Sequence, residues 1–196
     1  MVKRVLLLAV AVLFSATAAF AGPSDDVKKT VDEVVRIVAS KEMKQNEQKR
    51  RQALKKTISQ VFDYSEMAKR SLGKHWNQRT PDEKKRFAEL FATLLENSYA
   101  GKIESYNNEK IVYLKELIDG DHAEVKSKVV TAKRDEFTLD YRMLNRSGKW
   151  MAYDVVIEGV SLVSNYRTQF NKIISNGGYA QLVKKLETKS DELKAP

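Results

Sequence analysis

The feature that most constrains the fold is a change of period near residue 108 of this 196-residue chain. Before it, apolar residues recur at helical spacing. From Ile111 to Ile157 they alternate, and after Ser161 the helical spacing returns. The alternating part divides into Ile111 to Leu117, Ala123 to Thr131, Glu136 to Asn145 and Lys149 to Ile157. The turn segments between them are Asp119-Gly120-Asp121, Lys133-Arg134-Asp135 and Arg146-Ser147-Gly148, short enough that consecutive strands must pair antiparallel. In the third stretch Phe137, Leu139, Tyr141 and Met143 point one way and Thr138, Asp140 and Arg142 the other, which predicts one buried and one wet face. Helices, a four-stranded antiparallel meander and further helices make an α+β domain with helices packed on one face of a curved sheet.

The helical parts carry their own start and stop signals. Pro23, Ser24, Asp25 and Asp26 suit a cap and first turn, and Val27, Val31, Val34, Val35 and Val38 then lay a valine stripe along a helix from about Ser24 to Ser40. Lys41 to Lys56 is dense in Lys, Arg and Gln, and Leu54, Ile58, Val61 and Phe62 suggest a second helix whose early turns are solvated. Its run Lys49, Arg50, Arg51, Lys55 and Lys56 reads as a wet face, with partner docking as the alternative. Asp63 can cap a short helix ended by Gly73. Thr80-Pro81-Asp82-Glu83 is the sharpest local signal, with Thr at the cap, Pro at the first helical position and Glu three residues on. The helix it starts carries Phe87, Leu90, Phe91, Leu94, Leu95 and Tyr99 and runs toward Ile103 and Tyr106. Gly159 breaks the last strand, Ser161 starts another helix and Gly177-Gly178 stops it before a final amphipathic segment.

Residues 1 to 21 stand apart from this pattern. Lys3 and Arg4 precede an apolar run from Val5 to Phe14 and then Ala19-Phe20-Ala21, the three-part pattern of a secretory signal peptide. The run is about ten residues where a membrane span needs roughly twenty. A single domain over residues 22 to 196 is therefore expected outside the cytoplasm. The full chain has 35 Lys and Arg against 26 Asp and Glu, and loss of Lys3 and Arg4 leaves the remainder at +7. In an exported location that charge points to acidic proteins or anionic lipid rather than to nucleic acid.

Catalytic constellations are absent from the sequence. With no Cys there is no thiol nucleophile, no Cys-zinc site and no disulfide. His75 and His122 are the two histidines, and neither has metal-helix spacing to a second ligand. No Gly-x-Ser-x-Gly and no phosphate-cradling glycine loop occurs. Asp154 and Glu158 could be weighed as a glycosidase pair, but their bland reading is hydrogen bonding to backbone at the sheet-to-helix junction. What the sequence does contain is bulky apolar material on facing elements: Phe87, Phe91, Leu94, Leu95, Tyr99 and Ile103 on the long helix, and Phe137, Leu139, Tyr141, Met143, Trp150 and Val155 on the sheet. By default this would be a filled core.

The stretch from Trp150 to Phe170, with Tyr153-Asp154 and Glu158-Gly159-Val160-Ser161 as its most specific part, resembles the signature of the MlaC or toluene-tolerance family of exported phospholipid-binding proteins. Met67-Ala68, Leu72-Gly73, Trp76, Thr80, Phe87, Phe91, Leu95 and Tyr99 follow the family's order as well. The resemblance implies a helix-wrapped curved sheet, similar to nuclear-transport-factor-like and cystatin-like folds, with acyl chains between helices and sheet. It implies a periplasmic shuttle without catalysis, metal or cofactor, whose partners are phospholipid, an outer-membrane lipoprotein complex and an inner-membrane ABC transporter bearing an MCE-domain protein. On that basis Phe87, Phe91, Leu94, Leu95, Tyr99, Ile103, Tyr141, Met143, Trp150 and Val155 are expected to contact lipid, with Tyr106 near the phosphate. The rival expectations are an envelope interaction module with a filled core and a carrier of a polycyclic lipid such as a hopanoid. The export reading itself is tested by intact-mass analysis of protein secreted by a Gram-negative host: cleavage after Ala21 gives a chain beginning at Gly22, and retention of residues 1 to 21 overturns it.

Overall fold

The computed structural model describes residues 22 to 192. The expected signal peptide, at residues 1 to 21, lies outside them. The N-terminal layer consists of α1 (Pro23–Ala39), α2 (Lys41–Gln45) and α3 (Glu47–Ile58). The basic stretch that reads as one helix is broken at Asn46, whose side-chain oxygen accepts from the Lys49 N–H at 2.9 Å and so starts α3 afresh. Asp63 caps α4 (Tyr64–Leu72) by accepting from the Glu66 N–H at 2.9 Å. A 3-10 turn, Gly73–Gln78, leads to α5 (Pro81–Glu104). Both halves of its capping box are present: the Glu83 N–H donates to Thr80 Oγ1 at 3.2 Å and the Thr80 N–H to Glu83 Oε2 at 2.9 Å.

The sheet follows as β1 (Lys110–Asp119), β2 (His122–Val130), β3 (Glu136–Arg146), β4 (Lys149–Ile157) and β5 (Val160–Ser161), antiparallel in sequence order. It has five strands, not the four expected. Glu158 and Gly159 both take positive φ, 49° and 77°, forming a two-residue turn that lets Val160 and Ser161 pair back onto Ile157 and Val156. A glycine that reads as a strand breaker is therefore a hairpin residue. Leu114 of β1 and Tyr153 of β4 are each an extra residue at a register shift, and the one at Tyr153 is why Ala152 and Val155, three apart, share the inner face. The last helix, α6 (Leu162–Glu192), is interrupted at Gly178, where φ is 76°.

Apolar burial falls into separate clusters. Phe87, Phe91, Met67, Leu72, Phe170 and Leu182 bind α4, α5 and α6 into a helical core. Val125, Met143, Trp150 and Ala152 pack under Val27 of α1, and Ile37, Val38 and Leu54 join α1 to α3. Residues 61 to 63 lie along the free edge of β4, the Ala152 N–H donating to the Val61 carbonyl at 2.6 Å and the Asp63 N–H to the Ala152 carbonyl at 2.9 Å. The face of β3 and β4 opposite α1, expected to be wet, is covered in part: Asp140, Leu144, Asp154 and Val156 are all buried. Asp154 accepts from Ser161 Oγ at 2.6 Å and from the Val163 N–H at 3.0 Å, and pairs with Arg142 at 3.2 Å. It thus neutralises an α6 N-terminal donor, the backbone role weighed above against catalysis. Asp154→Ala leaves that donor and Ser161 without their acceptor and should lower unfolding free energy by about 3 kcal/mol in urea titration. A change below about 1 kcal/mol would refute the junction's importance.

Candidate functional site

Between these clusters lies a cavity of about 960 Å³ that opens to solvent. One wall is the inner face of the sheet, with Tyr113, Val129, Phe137, Leu139, Tyr141, Val155 and Ile157. The wall facing it comes from α1 with Val27, Val31, Val34 and Val35, and from α3 with Leu54 and Ile58. The C-terminal half of α5 supplies Leu95, Tyr99 and Ile103, followed by Tyr106, and Tyr64 and Met67 of α4 complete the enclosure. The valine stripe of α1 thus does two jobs: Val27 closes the sheet core while Val31, Val34 and Val35 stay half-buried on the hollow.

The expected lipid-contact residues divide between cavity and core. Leu95, Tyr99, Ile103, Tyr106, Tyr141 and Val155 line the cavity. Phe87, Phe91 and Leu94 belong to the helical core instead, with Phe87 and Phe91 wholly buried and edge-on to Phe170 at 5.6 and 5.5 Å between ring centres. Met143 and Trp150 fill the core beneath α1. The division on α5 is geometric. A stripe repeating every fourth residue drifts by roughly 40° per step around a helix of 3.6 residues per turn. Starting at Phe87 against α4 and α6, it has turned onto the cavity by Tyr99 and Ile103.

Charge gathers at the rim. Lys28, Asp32, Arg51, Gln52, Lys55 and Lys102 are exposed members of the lining. Two sets of ion pairs bridge α3 to α5: Lys55 to Glu96 at 3.0 Å, and Arg50 and Arg51 to Glu104 at 3.0 and 3.6 Å. The basic run that reads as a wet face therefore spans the gap between two cavity walls. Burial pushes the Tyr113 hydroxyl up to about 12, with Asp32 adding to the shift. Burial likewise raises Tyr64, Tyr99 and Tyr141. All four phenols are neutral at physiological pH and offer O–H donors.

His75 Nε2 lies 3.0 Å from Asn171 Oδ1 and His122 Nδ1 2.6 Å from Asp121 Oδ1, both near the surface. Among the described residues, no cluster of His, Cys, Asp and Glu could hold a metal ion, and no helix is long and apolar enough to cross a membrane. Sequence reasoning did not single out Val31, Val34, Val35 and Ile58 as walls, nor Tyr113 or Asn97. The readable signal was that stripes on α1, α3 and the sheet together exceed what one face of α5 could cover.

Residues 28 to 188 match the family profile described as MlaC protein. The chain belongs to the MlaC family. It is 28% identical over 180 residues to the toluene tolerance protein Ttg2D of Pseudomonas putida, covering 90% of this chain and 84% of that one. It is 27% identical over 126 residues to the intermembrane phospholipid transport system binding protein MlaC of Haemophilus influenzae, covering 62% and 59%. Among solved structures, the phospholipid-binding protein of Ralstonia solanacearum in complex with a phospholipid superposes with a TM-score of 0.80 at 28% identity, over 89% of this chain and all of that one.

The two-sided reading of α5 makes a measurable contrast. Phe87→Ala, within the helical core, should cost about 3 to 5 kcal/mol in chemical denaturation. Ile103→Ala, beside existing space, should cost about 1 kcal/mol or less. Equal costs would mean that Ile103 sits in a filled core.

Proposed function

We propose that this protein is a periplasmic, non-enzymatic carrier that holds the acyl chains of a phospholipid in the cavity and leaves the headgroup at the charged rim. The observation that carries this reading is a large hollow walled by apolar side chains of α1, α3, α5 and the sheet. The likeness to a phospholipid-bound protein over nearly the whole chain supports it. In the fuller form, the carrier exchanges lipid between an outer-membrane lipoprotein complex and an inner-membrane ABC transporter with an MCE-domain component, sustaining outer-membrane lipid asymmetry. The signal-like residues 1 to 21 and the name of the Haemophilus relative support that setting.

The physics explains the need. Exposing a two-chain lipid to water uncovers on the order of 30 methylenes at about 0.8 kcal/mol each, roughly 25 kcal/mol, so unassisted crossing of an aqueous gap is negligible. A cavity that removes most of that cost turns transfer into a near-balanced exchange between membrane and protein, for which no reacting group is required.

The candidate contacts follow from the walls: Leu95, Tyr99, Ile103, Tyr141 and Val155 for the chains, and Lys28, Lys102 and Tyr106 at the headgroup end. Mass spectrometry of a solvent extract of the gently purified protein should find diacyl phospholipid near one equivalent. A polycyclic lipid instead would change the cargo, and no lipid at all would favour the filled-core interaction module. Ile103→Glu should reduce retained lipid at least tenfold while circular dichroism stays unchanged; full retention would remove Ile103 from the binding surface.

A further inference from the structure

Outside the cavity, positive charge collects where α6 meets α4 and the 3-10 turn. From Gly159 to Leu186 the sequence contains no Asp or Glu, yet it contains Arg167, Lys172, Lys184 and Lys185. The first half of α6 packs on α4. At the end of α4, Lys69, Arg70 and Arg146 share the carboxylate of the buried Glu66 at 3.4, 2.9 and 3.2 Å. Those acceptors are already occupied, so they leave Lys74, Arg167 and Lys172 without a carboxylate among the described residues.

Arg167 is held rather than loose. Its Nε donates to the Arg70 carbonyl at 2.7 Å, one of the carbonyls that the end of α4 leaves open. Its stem crosses Gly73, where an added side-chain carbon would lie 3.4 Å from Arg167 Cδ, and Gly73 has a φ of 57° that favours glycine. The two terminal amino groups of the guanidinium have no partner among the described residues. Beside them Lys74 is exposed, and Asn171, one turn along α6, joins the turn through His75 at 3.0 Å. A guanidinium fixed through Nε, with its outer groups free, is a fork that meets a carboxylate through two parallel hydrogen bonds.

We propose that the surface formed by the 3-10 turn and the first half of α6, centred on the Arg167 guanidinium, docks a Glu- or Asp-bearing segment of a partner protein. The carrier function above enters only because a carrier has to meet a donor and an acceptor of its cargo.

The neighbouring residues favour a protein over a lipid surface. None of Lys74, His75, Arg167, Asn171 and Lys172 lines the cavity, so the cargo's own headgroup is not their ligand. The large apolar side chains that stand exposed among the described residues are on β1, β3 and β5, and this surface has none to insert into a bilayer. Its exposed remainder is Ser164, Thr168 and Asn171, short hydrogen-bonding groups of the kind found at the polar rim of a protein interface.

The test adds a synthetic peptide of alternating Glu and Ser to isotope-labelled exported protein and follows its backbone amide signals by NMR. Signals of Gly73, Lys74, His75, Arg167 and Asn171 should move with the Glu peptide and stay in place with the Gln-Ser counterpart. Lys74→Ser, which removes a charge without a described partner, should weaken binding about two- to fivefold, the range of one exposed ion pair. Arg167→Lys keeps the charge and loses the fork, and should weaken it by about fivefold or more. Movement confined to the cavity rim around Lys28 and Lys102, or an equal response to the Gln peptide, overturns the proposal. Saturable movement of the same signals with inorganic phosphate alone makes this a small-anion site, and binding of phosphatidylglycerol vesicles through this surface without the peptide makes it a lipid contact; either result overturns it as well. Lipid retained by Lys74→Ser should equal that of wild type. Absence of lipid from both would overturn the carrier function and leave the peptide result to decide the docking surface.

Discussion

The structure depends on keeping apolar walls apart. Protein interiors are normally packed to crystal-like density, and at about 24 cal/mol per Å³ a dry void of 960 Å³ would cost on the order of 20 kcal/mol, more than the whole net stability of an ordinary domain. Such a space is tolerable only if it opens to solvent or holds a ligand, and only if the rest of the molecule folds without it. Both conditions are met. The helical core around Phe87, Phe91, Phe170 and Leu182 closes on itself, and the sheet core around Val125, Met143 and Trp150 closes under Val27. The helical core uses no residue of α1, and the sheet core closes where Val27 brings the start of α1 onto the sheet, beside the hollow.

What holds the walls at their distance is then a question of side-chain length and charge. If α3 and α5 met through apolar side chains along their whole length, they would collapse onto each other and the space would vanish. They are instead spanned by Lys55 to Glu96 and by Arg50 and Arg51 to Glu104. Lysine and arginine are the longest side chains available, and their stems can cover apolar surface while the charged ends reach a carboxylate. The two glutamates are mostly covered, each side chain about 14% exposed, which strengthens the pairs over freely solvated ones. Tyr106 and Ile103 pack beside Leu54 at the end of this seam, where α3 does touch the segment after α5.

This arrangement explains which parts were legible in the sequence. Local chemistry was readable because it needs no knowledge of neighbours: the Thr80 capping box, Asp63 as a cap and the antiparallel strand order all stand in the structure as the residues imply. Details that depend on one backbone angle were harder to see. Asn46 ends one helix and caps the next, and Glu158-Gly159 forms a hairpin turn where glycine usually signals termination. The division of α5 was not legible at all. Leu94 and Leu95 are adjacent and equally apolar, yet Leu94 lies in the helical core alone whereas Leu95 also reaches the cavity. Hydrophobic periodicity reports that a residue avoids water; it does not say whether a neighbour of this chain or a guest removes it.

The half-buried state of the wall residues carries a last consequence. Val31, Val34, Val35, Leu139 and Ile157 retain contact with water when the cavity is empty, unlike the fully buried Val125 and Met143. A guest that covers them adds the burial that the fold itself left incomplete, so cargo binding and domain stability are linked quantities. The linkage also limits how tightly the cargo can be held. Walls that packed perfectly around a lipid would bind it too strongly to give it up, and walls too open would offer no advantage over water. A hollow lined by partly exposed aliphatic side chains, braced by ion pairs at one seam and open at its rim, suits the reversible transfer proposed above.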